Sequence, residues 1–136
     1  MFDGPEHQSY IALCRELMLE RKLEEGDWFV LGQHTTAFVW SALITATAWN
    51  DHFHNIPEPG IARPIWLPRL DQWLAMLEEA GQPDIAFERT LAGRWECGRP
   101  IPEGDGRTIE LVPTSGLKHT REEAAARLWM AVTGRT

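Results

Sequence analysis

Asp84-Ile85-Ala86-Phe87-Glu88-Arg89-Thr90-Leu91-Ala92-Gly93-Arg94-Trp95-Glu96-Cys97-Gly98 is the stretch on which the fold turns. Ile85, Phe87, Arg89 and Leu91 alternate with Ala86, Glu88 and Thr90, the period-2 pattern of a strand with two unlike faces. After Ala92-Gly93, a tight hairpin connection, Arg94 to Gly98 resumes the alternation with Trp95 and Cys97 on one face. The turn-rich Arg99 to Gly106 then leads to a third strand, Thr108 to Val112.

Helical patterns flank this meander on both sides. Upstream, Leu67, Leu70, Trp73, Leu74 and Leu77 recur at helical spacing, and Gly81 ends a helix expected over Trp66–Ala80. Downstream, Thr120 followed by Glu123 is a capping box, with Glu122 also in the first turn, where the helix dipole favours acids. That helix runs to about Thr133, presents Ala124, Leu128, Ala131 and Val132 with Trp129 alongside, and stops at Gly134. The order α-β-β-β-α predicts an α+β fold in which helices pack on an antiparallel sheet.

The first half reads less regularly. Residues 7–24 place Tyr10, Ile11, Leu13, Cys14, Leu17, Met18 and Leu23 along one stripe, so a helix beginning near Pro5 and closed by Gly26 is expected. Asp27 to Leu31 reads as a short buried strand, Gly32-Gln33-His34 as a turn, and Thr35 to Trp40 as a second strand. Ser41 to Trp49 fits strand by its alternating threonines and helix by its alanines. Residues 50–64 collect Asn, Asp, Gly and three prolines and form the principal connection. With 136 residues, a single domain over 1–136 is the expectation, with sub-units 1–50 and 65–134 on either side of that connection.

The formal charge of −7 is uneven: residues 1–60 carry nine acids against three bases, residues 61–136 eleven against ten. An acidic field of this kind repels nucleic acid and anionic membranes and suits a basic partner. Residues 28–50 lack Asp, Glu, Lys and Arg, but Gly32 to Thr36 interrupt them, and the apolar run of 37–49 is too short to span a bilayer. The first residues lack the basic region and apolar core of a signal peptide, so a reducing cytoplasm is expected. Cys14 and Cys97 belong to no CxxC pair and read as small buried hydrophobes. Seven tryptophans are more than a small core buries fully, and those left at the surface favour a protein partner or a homo-oligomer.

For chemistry, Asp51-His52-Phe53-His54 is the sharpest pattern: in extended chain an HxH pair puts both imidazoles on one side, and His34 offers a third nitrogen. His34, His52 and His54 are therefore the metal-ligand candidates of a small metal-dependent enzyme, although nothing completes the set of ligands a zinc site needs. Ser9, Ser41 and Ser115 lie in no nucleophile elbow, the Glu-Glu pairs at 24–25, 78–79 and 122–123 suit helix faces and caps, and no phosphate loop is present. No catalytic residue and no cofactor is expected on this pattern.

Two resemblances bear on function. Gly116 to Ala126 is similar to the approach to the last helix of double-stranded RNA-binding domains, which share the α-β-β-β-α order. There the helix starts with lysines for phosphates; here Glu122 and Glu123 hold two places of the first turn, leaving Lys118 and Arg121, which speaks against RNA. Over residues 66–133, the helix, the Trp95-Glu96-Cys97 strand and the Thr120-Arg121-Glu122-Glu123-Ala124 helix start resemble small uncharacterised phage and prophage proteins of the ABA-sandwich type. Capped Ala-rich helices of this kind also occur in HicB-type antitoxins. The resemblance implies a fold and a mobile-element origin without an activity. The leading functional expectation is a non-enzymatic accessory or protein-interaction protein, with the histidine metal enzyme and an RNA-binding or antitoxin-like module as alternatives.

Overall fold

Trp28–Leu31 (β1) consists of aromatic and aliphatic residues without a charge, and it becomes the middle strand of a three-stranded antiparallel sheet. On one side it pairs with Phe38–Val39 (β2), Phe29 opposite Phe38, and on the other with Pro64–Leu67 (β3), Phe29 opposite Trp66. The computed structural model describes residues 2, 4–31, 37–40, 64–100, 109–111, 114, 116 and 118–135. These fall into two compact units, Met1–Leu67 and Pro68–Thr136.

In the first unit a 3-10 turn, Pro5–His7, leads into Gln8–Leu17 (α1), whose Tyr10, Ile11, Leu13 and Cys14 are buried. Phe2 is fully buried, its ring 5.3 Å from His7, 5.5 Å from Tyr10 and 5.5 Å from Trp28. The helix is shorter than the apolar stripe over 7–24 suggests. Met18 turns left-handed, at φ 45°, with its N–H on the Cys14 carbonyl, and residues 19–24 leave helical geometry. The competing interaction is Asp27, 2% exposed, which accepts hydrogen bonds from the Glu24 N–H (2.8 Å) and from Arg21 Nε (2.9 Å). A buried carboxylate without such donors costs several kcal/mol, about the stability a further helical turn cannot supply.

The helix expected from Trp66 begins later, at Leu70. Pro68 restricts Leu67 to extended backbone, so Pro64–Leu67 joins β1 as a strand and Leu70–Glu79 (α2) stands alone. Gln72 Oε1 accepts the Arg69 N–H at 2.8 Å at its start, and the Gln82 N–H returns to the Leu77 carbonyl at its end. The division of the chain therefore lies at Leu67, past the proline-rich connection.

The second unit follows the α-β-β-β-α order read from the sequence. Ala86–Arg89 (β4), Trp95–Pro100 (β5) and Ile109–Leu111 (β6) form an antiparallel meander, and Arg121–Thr133 (α3) follows. The β4–β5 hairpin has a three-residue loop, 91–93, because Thr90 donates to the Arg94 carbonyl and Gly93 takes a left-handed φ of 78°. Leu91 thus sits exposed at the tip instead of on the strand face, and Arg99 and Pro100, expected in a turn, extend β5. Phe87 pairs with Cys97 and Arg89 with Trp95 on one face; Glu88 pairs with Glu96 on the other.

α3 starts on the predicted cap: Thr120 Oγ1 accepts the Glu123 N–H at 3.2 Å, while Glu123 Oε2 accepts from His119 N–H, one residue earlier than the usual reciprocal bond. Glu123, Ala124, Ala125, Ala126 and Leu128 are all buried, whereas Ala131 is exposed. Three consecutive buried alanines span most of the helix circumference, which requires neighbours on two sides. Those neighbours are α2, through Trp73 against Trp129 at 5.6 Å between centroids, and β5. The two helices were expected to roof the sheet together; instead α3 lies on β5, and α2 packs chiefly on α3.

Lys118 anchors the approach to α3. It is 4% exposed, in left-handed backbone at φ 51°, and its Nζ lies 2.7 Å from Glu96 Oε1, 2.8 Å from Glu96 Oε2 and 2.9 Å from both the Thr114 carbonyl and its hydroxyl. The Lys118 carbonyl in turn accepts the Trp95 N–H. Lys118→Met leaves Glu96 as a half-buried carboxylate without its cation and is expected to lower stability by about 3 kcal/mol in urea denaturation. Lys118→Met combined with Glu96→Leu should recover most of that loss. Thr120→Ala, which removes the cap alone, should lower stability by about 1 kcal/mol in the same assay.

Candidate functional site: a groove beside Trp66

The early end of α1 and the extended Pro64–Leu67 create a concavity. Met18 to Lys22 form one wall and Pro64, Ile65 and Trp66 the other, enclosing about 500 Å³. That volume lies within the range of small-molecule and peptide-side-chain sites. Arg21 crosses it: its guanidinium sits 4.5 Å from the centroid of the Trp66 ring, is held by Asp27 at 2.9 Å and lies 3.9 Å from the exposed Glu24 carboxylate, so its position is set by one stacking contact and two ion pairs. Trp66 is buried, yet its indole Nε1 has no hydrogen-bond partner among the described residues. A covered donor left without an acceptor costs about 1–3 kcal/mol. Met18, 58% exposed, adds an adaptable apolar side chain to the rim.

The chemistry of this wall suits binding. It offers one aromatic plane, one clamped cation, an N–H without an acceptor among the described residues and apolar Leu19, Pro64 and Ile65, with Glu20 and Lys22 supplying charges of both signs.

The residues singled out from the sequence are distributed differently. His34, His52 and His54 lie outside the described residues, as do Ser41, Ser115 and Ser41 to Trp49 as a whole. Among the described residues no group of three His, Cys, Asp or Glu side chains is placed to hold a metal ion. His7 is packed on Phe2, 3.8 Å from Glu6, and His119 is exposed. Of the two bases available for phosphates near α3, Lys118 is committed to Glu96 and Thr114, while Arg121 lies over Trp95 at 5.5 Å. Glu24, Glu25, Glu78 and Glu79 are exposed.

The tryptophans divide as their number suggested. Trp66 and Trp73 are buried, and Trp28, Trp40, Trp95 and Trp129 are half-buried. Both cysteines are buried thiols outside any disulfide. Burial, the larger cause, and the neighbouring Glu96 carboxylate push the Cys97 thiol up from 9.0 to about 12, partly opposed by the Lys118 ammonium.

The groove escaped sequence reading because its parts are distant in the chain. Arg21 fits the polar side of a presumed helix, and only the pairing of β1 with β3 brings Trp66 under it. No helix among the described residues is long and apolar enough to cross a membrane. No protein family, no curated protein and no solved structure matches this chain.

The Cys97 shift gives a pH test. Between pH 9.0 and about 12 the unfolded thiol has lost its proton while the folded one keeps it, so the unfolded state binds fewer protons and stability falls as pH rises. This contribution is intact below pH 9.0 and declines toward 12. Denaturation measured from neutral to alkaline pH should show a steeper alkaline decline in the natural protein than in Cys97→Ala.

Proposed function

We propose that this is a non-enzymatic protein-interaction protein, an accessory factor that works by docking a segment of a partner protein into the groove beside Trp66. The observation that carries the reading is the combination, in one cavity of about 500 Å³, of a stacked Arg21–Trp66 pair, an exposed Met18 and an indole N–H without an acceptor among the described residues. Tryptophan, arginine and methionine are the residue types enriched where proteins meet. Nε1 is covered, so its engagement by a partner carbonyl involves a local side-chain shift, of the kind common at interfaces.

The protein acts in a reducing cytoplasm, a setting in keeping with thiols outside any disulfide. Its assignment to the phage and prophage class rests on the α-β-β-β-α order and the Thr120-Arg121-Glu122-Glu123-Ala124 helix start. Protein is favoured over RNA as the partner because Lys118, one of the two bases near α3, is held in an ion pair and hydrogen bonds.

Panning a random-peptide display library against the whole protein tests the groove. Enriched peptides should share an apolar consensus and bind Met18→Glu about tenfold more weakly, the equivalent of ~1.4 kcal/mol. Trp66→Phe, which keeps an aromatic side chain and removes the N–H, should weaken binding less. Enrichment without a consensus, or equal affinity for Met18→Glu, would remove the groove as the docking site.

A further inference from the structure

A second surface lies in the Pro68–Thr136 unit, independent of the groove. Arg89 and Trp95 are direct cross-strand partners, so both side chains leave the same face of the sheet. The Trp95 N–H donates to the Lys118 carbonyl, which brings the start of α3 beside β5. The guanidiniums of Arg89 and Arg121 therefore converge on one indole ring, at 5.9 Å and 5.5 Å from its centroid. Both arginines are exposed, Trp95 is half-buried, and among the described residues neither guanidinium has a carboxylate partner. Arg94, also exposed, precedes Trp95 in the hairpin.

Among the described residues no carboxylate is paired with either guanidinium. Glu88 and Glu96 leave the opposite face of the sheet, and Glu96 is held by Lys118. Glu123 is fully buried and accepts the His119 N–H. What remains is a flat aromatic ring flanked by two planar cations that have no ion pair among the described residues. Guanidinium forks match carboxylates in bidentate geometry, and an indole beside them gives an apolar platform for the residue between two acids.

We propose that the Arg89–Trp95–Arg121 face docks an acidic, carboxylate-bearing segment of a partner protein. Charge complementarity selects this occupant. The acid excess of the chain lies in residues 1–60, while residues 61–136 carry eleven acids against ten bases, so the local cations of this face suffice for two or three carboxylates, whereas a polyphosphate backbone needs many bases at once. The ring is already stacked by its own arginines, so a partner's acids bind cations that are positioned in advance.

Fluorescence anisotropy with a labelled peptide of alternating Glu and Leu, titrated with the full-length protein at physiological salt, is the test. Saturable binding is expected. It should weaken about tenfold in Arg89→Gln/Arg121→Gln and stay near the natural value in Arg15→Gln/Arg135→Gln, which removes the same charge elsewhere. Circular dichroism melting of each variant checks folding, and Arg89→Lys serves if the double variant fails to fold: it keeps the charge, loses the fork, and should weaken binding measurably. No saturable binding, equal loss in the charge-matched control, or preference for a labelled single-stranded oligonucleotide that the arginine substitutions abolish would each overturn the proposal.

Discussion

One buried ammonium organises the Pro68–Thr136 unit. Lys118 Nζ reaches both oxygens of Glu96 and two oxygens of Thr114, so a single cation joins the start of β5 to the chain that leaves β6. Its position also solves a local conflict. Glu88 and Glu96 stand directly opposite each other, an arrangement that is unfavourable between like charges, and the ammonium neutralises the more buried of the two. Once Lys118 is seated, its carbonyl takes the Trp95 N–H and Thr120 is in place to cap α3. The route into the last helix, the helix direction and the meander are thus coupled.

The first unit uses the opposite charge. Buried Asp27 draws Arg21 and the Glu24 N–H toward itself, ends the α1 segment early and leaves Arg21 stacked on Trp66. In both units an ionised side chain, satisfied by named donors or acceptors, decides where an irregular connection runs. Both candidate interaction surfaces lie against those connections. The groove exists because residues 19–24 are not helical, and the Arg89–Trp95–Arg121 face exists because Lys118 brings α3 to β5.

Arginine on tryptophan recurs at Trp66, Trp95 and Trp129. At Trp95 and Trp129 a half-buried indole beside a guanidinium presents a rigid apolar plane with a polar neighbour. This accounts for the excess of tryptophan better than core filling alone, since only Trp66 and Trp73 of the described six are buried.

Local patterns were enough for the elements themselves. Alternation from Ile85 to Cys97, the helical spacing from Leu70 to Leu77 and the Thr120–Glu123 cap determined the α-β-β-β-α order, because each depends on residues a few positions apart. The candidate surfaces were not legible: the periodicity of 7–24 hid the break at Met18, and nothing local announces that Arg21 meets Trp66 or that Arg89 and Arg121 meet at Trp95. Tertiary structure decided those contacts, the strand identity of Pro64–Leu67 and the two-sided burial of α3. In each case the deciding energy is an ion pair, a stacking contact or a ladder between residues far apart in the chain, which outweighs a local preference of about a kcal/mol.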